Sequence, residues 1–251
     1  MSIAKEEIIA FVKAEGADLC AVAGLSSESS YIKKVYGEYF SSFPTAVSFA
    51  IFFPKEVVQE QLEAPTRNYI TVYSTINREI DRISVMAANR LQRAGFRSYP
   101  VPSSDYRPAA RTKGLHRIVA EAGDPAELPK TELGVIGVFS HRIAAAKAGL
   151  GWVGKSCSVI NPQVGPRMRL GTILTDAPFA PDAEIPNRCG SCTKCRDACP
   201  VGALRGRAFS SSEELSERFG ADSCFHYWDD MEKVFGLGTC GLCLASCPWG
   251  R

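Results

Sequence analysis

Several things this 251-residue chain lacks narrow what it can be. Its N-terminus, MSIAKEEIIAFVKAEG, has no basic stretch leading into an apolar core, so it does not read as a signal peptide; the acids at its start suit an amphipathic helix. No apolar run reaches the roughly 18–20 residues that a membrane span requires. A net charge of +2 is too small to argue for a nucleic-acid surface. Histidine is scarce, with three in the whole chain, so few side chains exchange protons near neutrality. Low-complexity segments and internal repeats are missing too. With 45% hydrophobic and 22% charged residues the composition is that of an ordinary globular protein. A cytoplasmic, reducing location without membrane contact is the expectation.

Cysteine is what the chain has in an unusual place. Eight of its ten cysteines fall in the last sixty-three residues. Cys189, Cys192, Cys195 and Cys199 form C-x2-C-x2-C-x3-C-P, and Cys240, Cys243 and Cys247 repeat C-x2-C-x3-C-P, with Cys224 alone between the runs. Disulfides would need an oxidising compartment. A zinc ribbon would show two C-x2-C pairs instead. The spacing matches two [4Fe–4S] clusters, in which the fourth cysteine of each run ligates the other cluster. That rule assigns Cys189, Cys192, Cys195 and Cys247 to one cluster. It assigns Cys199, Cys224, Cys240 and Cys243 to the other. The aromatic stretch FHYWDDMEKVFGLGT after Cys224 is expected to pack over the second cluster, where His226 could hydrogen-bond near sulfur.

The first 180 residues alternate helix and strand patterns. Residues 4–15 carry a helical apolar face stopped near Gly16, and 18–24 and 46–53 read as strands, the second ended by Pro54. Ile76, Ile80, Ile83, Ala87 and Leu91 mark a long helix over 70–94, ended by Gly95. Strands follow at 96–101 and 169–175, with an alanine-rich helix at 140–149. The proline-rich APFAPDAEIPN reads as a linker. The expected organisation is an α/β (α+β) cofactor-binding domain over 1–180 and a ferredoxin-like double-cluster domain over 181–251.

Two segments of the larger domain carry candidate chemistry. In AGLGWVGKSC, Gly149, Gly151 and Gly154 would let the backbone approach a bulky ligand, though glycines also make turns. The segment follows a helix, so it is not the dinucleotide-binding G-x-G-x-x-G turn. Trp152 reads as core, Cys157 as a buried thiol or one facing a cofactor, and Cys20 as core. The second segment, DYRPAARTKGLHR, brings Arg107, Arg111, Lys113, His116 and Arg117 together as either an anion site or a solvated loop. His141, just before the glycines, is the best-placed titratable side chain for proton transfer, although a lone histidine at a helix start is more commonly a surface or capping residue.

Taken together, AAAKAGLGWVGKSCSVIN, LGTILTDAPF, CGSCTKCRDACPVGAL and CGLCLASCPWG resemble the epoxyqueuosine reductase family, most strongly over residues 139–250. The resemblance implies a cobalamin-binding, nitroreductase-like core related to reductive dehalogenases, with clusters that feed electrons to cobalt. It implies that Gly149, Gly151, Trp152, Gly154, Lys155, Ser156, Cys157 and Tyr69 line the cofactor. It also implies a low-potential donor such as ferredoxin or flavodoxin. The chain departs from the family in two places. Only Tyr69 of an Asp-Tyr-His signature is kept, in Arg67-Asn68-Tyr69-Ile70, and Val135 stands where the family has a proton-donating aspartate. Arg251 follows Cys247 by four residues, where the tRNA-modifying enzymes continue into helical repeats; tRNA is on this reading not the expected substrate. The leading expectation is a corrinoid-dependent reductase of an unidentified small substrate. The alternatives are a reactivating electron carrier for a corrinoid protein, epoxyqueuosine reduction itself, and an FMN-dependent reductase.

Overall fold

A computed structural model describes residues 3–63, 66–104, 138–210, 213, 215–236, 238 and 240–249. The basic segment 105–117 and Val135 lie outside the described residues. In chain order the helices α1 (Lys5–Ala14), α2 (Ser29–Tyr36), α3 (Glu38–Ser41), α4 (Lys55–Gln59), α5 (Arg67–Arg93) and α6 (His141–Lys147) surround a four-stranded sheet. The strands are β1 (Leu19–Gly24), β2 (Thr45–Phe52), β3 (Ser98–Val101) and β6 (Met168–Thr175), in the order β1-β2-β6-β3. A two-stranded ribbon, β4 (Trp152–Val153) with β5 (Val159–Ile160), lies between α6 and β6. The cluster half adds α7 (Lys194–Asp197), α8 (Ala221–Phe235) and α9 (Leu242–Ala245).

Every described pairing in the sheet is antiparallel, so the domain is α+β rather than a parallel doubly wound sheet. The alternation of the central strand explains the layers, because successive side chains of a strand point to opposite faces. Val47 and Phe49 pack with Ile8 and Val12 of α1 and with Ile76, Ile80, Ile83, Ala87 and Leu91 of α5. Ala46 and Ala50 face the other way, toward Ala144 and Ala145 of α6. Alanine on both sides lets α6 approach the sheet closely, and this sets the position of everything that follows α6. Thr66 caps α5 by accepting from the Tyr69 backbone N–H at 3.3 Å, which starts the helix three residues before its apolar periodicity does.

The proline-rich segment is a strap, not a free linker. Asp182 accepts the Val22 N–H at 2.8 Å and pairs with Lys5 at 2.7 Å, and its own N–H donates to the Val22 carbonyl at 2.9 Å. Prolines keep the chain extended while leaving those few donors and acceptors available. At the other edge of β2, Phe49 lies directly opposite Gly171, and a Cβ on that glycine would come within 2.2 Å of the ring. Gly171→Ala is therefore expected to destabilise the domain by about 1–3 kcal/mol through overpacking. Denaturant melts would show this as a lower midpoint, and the loss should shrink when Phe49→Leu is added. An unchanged midpoint in the single variant would refute the packing argument.

Candidate functional site

The cysteines of the C-terminal segment influence one another in two sets. The Cys247 thiol is pushed up to about 11, first by burial and then by the neighbouring thiols of Cys189, Cys195 and Cys192, against a hydrogen bond from the Trp249 backbone. Cys224 is likewise pushed up to about 11 by burial, Cys199 and Cys240. Burial raises Cys243 further, with Cys240, Cys224, Cys195 and Cys199 around it. Cys189, Cys192 and Cys195 thus neighbour Cys247, and Cys199, Cys224 and Cys240 neighbour Cys243, but among the described residues no three of these thiols converge into a ready-made metal site. The influence of Cys195 on Cys243 shows that the two groups adjoin. Four thiols is the donor set of a [4Fe–4S] cube; burial disfavours their thiolates here, and local N–H donors act against it. The Ala203 N–H donates to Cys199 Sγ at 3.2 Å, and backbone hydrogen bonds from Arg196 and Leu242 reach Cys195 and Cys240. Each favours the charged sulfur that binds iron.

The glycine-rich segment serves the first group rather than a large ligand. Trp152 Nε1 donates to Cys189 Sγ at 3.4 Å, and its ring meets Trp249 edge-on at 5.0 Å between centroids. Lys155 Nζ donates to the Gly190 and Cys192 carbonyls at 2.6 and 3.2 Å, tying the ribbon to the cysteine loop. A Cβ on Gly154 would lie 3.4 Å from Cys189 Sγ and 2.7 Å from Ile160 Cδ1. On Gly151 it would meet the Ile160 carbonyl at 2.3 Å, and on Gly149 the Ala183 carbonyl of the strap at 2.1 Å. Close approach is indeed why these positions are glycine, but what approaches is protein. The expectation that Gly149, Gly151, Trp152, Gly154 and Lys155 line a cofactor chamber does not match their placement.

The chamber lies on the other side of the ribbon. A cavity of about 920 Å³ is bounded by both halves of the chain, and its wall includes all four cysteines of the second group. Of the residues marked in the sequence, Tyr69, His141, Ser156 and Cys157 line it. Tyr69 stacks flat on Phe53 at 5.2 Å, and its ring packs against Gly241. Burial and the nearby Cys243 thiol raise its hydroxyl well above the usual phenol range. Cys157 sits at φ 58°, a left-handed conformation unusual outside glycine, with its carbonyl held by Arg142 Nη1 at 2.8 Å. The Phe225, Tyr227 and Trp228 side chains of α8 also border the cavity. Tyr227 lies close enough to Cys240 and Cys199 to feel their charge, so this aromatic stretch does pack beside the second group.

His141 stands at the cavity but is committed elsewhere. Its Nε2 contacts the Pro102 carbonyl at 2.8 Å, and a carbonyl only accepts, so Nε2 carries the proton. Nδ1 then accepts from the Thr172 hydroxyl at 2.9 Å. Burial lowers its pKa to about 4, outweighing the Pro102 hydrogen bond. A neutral ring with both nitrogens engaged braces α6 against β3 and β6, and does not fit the proton-donor role expected of it. Sequence patterns gave no sign of Arg142, Arg169 and Arg218 in the same wall. They fall in segments with no motif, and only the fold brings them together.

Residues 188–250 match the 4Fe-4S double cluster binding domain. Over 108 residues the chain is 52% identical to the epoxyqueuosine reductase of Bacillus anthracis, a match covering 41% of this chain and 28% of that one. Against the Bacillus subtilis epoxyqueuosine reductase identity is 47% over 117 residues, covering 46% and 30%. Over this stretch the chain is similar to epoxyqueuosine reductases. The matched stretch spans less than a third of each of these relatives. The fold extends further than the sequence match. A crystal structure of an epoxyqueuosine reductase superposes with a TM-score of 0.57 at 20% identity, covering 98% of this chain and 65% of that one. A reductive dehalogenase described as performing B12-dependent dehalogenation gives 0.65 at 19% identity, covering 98% and 31%. No helix among the described residues is long and apolar enough to cross a membrane.

Two outcomes follow. Reconstituted protein should carry about eight iron atoms per chain. Cys192→Ala should fall to about half that content while Cys157→Ala keeps all of it; equal iron in both variants would contradict the ligand assignment. The depressed His141 pKa has a definite sign. The unfolded chain binds the proton more tightly, so this contribution to stability is complete above about pH 6.5 and is lost as pH falls toward 4. Thermal melts of wild type should therefore decline across that window, more steeply than those of His141→Gln. Parallel curves for the two proteins would count against the bracing role.

Proposed function

We propose that this protein is an iron–sulfur reductase of the epoxyqueuosine reductase type, in which two [4Fe–4S] clusters deliver electrons to a corrinoid held in the cavity. The observation that carries this reading is the shared wall: the thiols that would ligate the second cluster border the chamber itself. Electrons entering at the first group need cross only to the adjoining second group to reach that chamber, and a low-potential protein donor would supply them. Two clusters carrying one electron each suit the two-electron reduction of an epoxide. A bound corrinoid would supply the low-potential metal chemistry at the substrate. The chain's own residues seat the clusters, through Trp152 and Lys155, and enclose the chamber, through Tyr69, Ser156, Cys157 and the aromatic face of α8. We also propose the boundary between the two units near residue 180, where the strap begins.

A relative of similar fold has been crystallised with an epoxyqueuosine-modified tRNA stem loop, at a TM-score of 0.56 and 19% identity. Together with the identity over the shared stretch, this favours an epoxyqueuosine-bearing tRNA over the unidentified small molecule expected from the sequence. The small net charge argues only against strong unspecific binding. A second reading, reduction of a different acceptor with the same machinery, rests on Val135 in place of the family's acid.

Anaerobically reconstituted protein should change the visible spectrum of added cobalamin, and its gene should restore queuosine in a strain lacking the reductase. Restoration would establish the first reading. A spectral change without restoration would move the assignment to the second. Failure of every corrinoid to bind would defeat both.

A further inference from the structure

Arg218 is 4% exposed, lines the cavity, and its Nε has no hydrogen-bond partner. The guanidinium lies over the Phe209 ring at 4.6 Å, a contact that leaves Nε without an acceptor. A buried donor on a charged group without an acceptor is costly. Of the two carboxylates in the wall, Glu28 pairs with Lys147 at 2.9 Å, while Glu213 pairs with Arg207 through one oxygen and keeps its Oε2 buried without a partner. Arg169 is held by Asn77, the Ser103 carbonyl and the Tyr73 ring. Arg142 spends one nitrogen on the Cys157 carbonyl. Arg142 and Arg218 both line the cavity, and both act against the rise that burial imposes on the Cys157 thiol.

We propose that Arg218 and Arg142 form an oxyanion subsite in the cavity wall, taking a phosphate or carboxylate carried into the chamber. Two forked donors from different halves of the chain match the several oxygens of such a group better than a single lysine would. The strained turn at Cys157 holds Arg142 in place through its carbonyl, a use of local strain common at ligand sites. The anion arrives either on the cofactor, as the phosphodiester of a corrinoid's nucleotide loop, or on the substrate. This inference rests on the reductase reading only for what enters the chamber; the subsite itself follows from the buried charge.

The test is calorimetric binding to cluster-loaded protein, using inorganic phosphate, cobalamin, and cobinamide, which lacks the phosphate. Arg218→Gln should weaken phosphate binding roughly ten- to a hundred-fold, as expected for lost hydrogen bonds to a charged group. Arg142→Gln should weaken it in the same direction, and iron content checks that each variant still folds. If cobalamin loses affinity in the variants while cobinamide does not, the anion belongs to the cofactor. If phosphate alone is affected, it belongs to the substrate. Should no corrinoid bind even to wild type, the reductase reading falls while the phosphate comparison still judges the subsite. Phosphate affinity unchanged in both variants, or absent from wild type, overturns the proposal.

Discussion

A cube of iron and sulfur demands four thiolates around one point, and no short loop can wrap all four corners. On the proposed ligation Cys247 returns to the Cys189–Cys195 loop and Cys199 reaches forward to Cys224, Cys240 and Cys243. This exchange would hold the C-terminal quarter together. Among the described residues, the buried members of the hydrophobic clusters from beyond residue 187 are Ala245 and Cys247. A segment of some sixty residues with so little core of its own depends on ligation for its shape. The walls it contributes to the cavity depend on it in turn.

That dependence explains the division of labour around β4 and β5. The ribbon presents Trp152, Gly154 and Lys155 to the first cysteine group, and the turn at its tip presents Ser156 and Cys157 to the cavity. One short element thus joins the place where electrons would enter to the place where they would be used. Its position is fixed from behind by the alanine contact of α6 with the sheet, and from below by the strap, whose Ala183 carbonyl closes on Gly149.

Much of this was legible in the sequence, for reasons that differ by residue. The double-cluster character of the C-terminal segment could be read because ligand spacing is a local property. The periodicity of α5 and the alternation of β2 report a face toward a core, and both elements lie within a few residues of where the pattern put them. The glycines misled because a missing Cβ announces close approach without naming the partner. Trp152, read as core, is both buried and a donor to sulfur. His141 was visible as a titratable group beside the site, but its two hydrogen bonds go to Pro102 and Thr172, thirty or more residues away in each direction. Arg218 carried no signal at all. Its burial depends on Phe209 and on the cavity, neither of which a one-dimensional pattern encodes.

The charges of the wall give the site its sense. A cluster ligated by four thiolates is anionic, and an electron delivered beside it is disfavoured by that charge. Cations at Arg142, Arg169 and Arg218 in the wall work in the opposite direction. Fixed positive charge lowers the energy of an added electron without any rearrangement at the moment of transfer. Keeping His141 neutral is consistent with this arrangement, since a histidine that changed protonation would shift the field with pH.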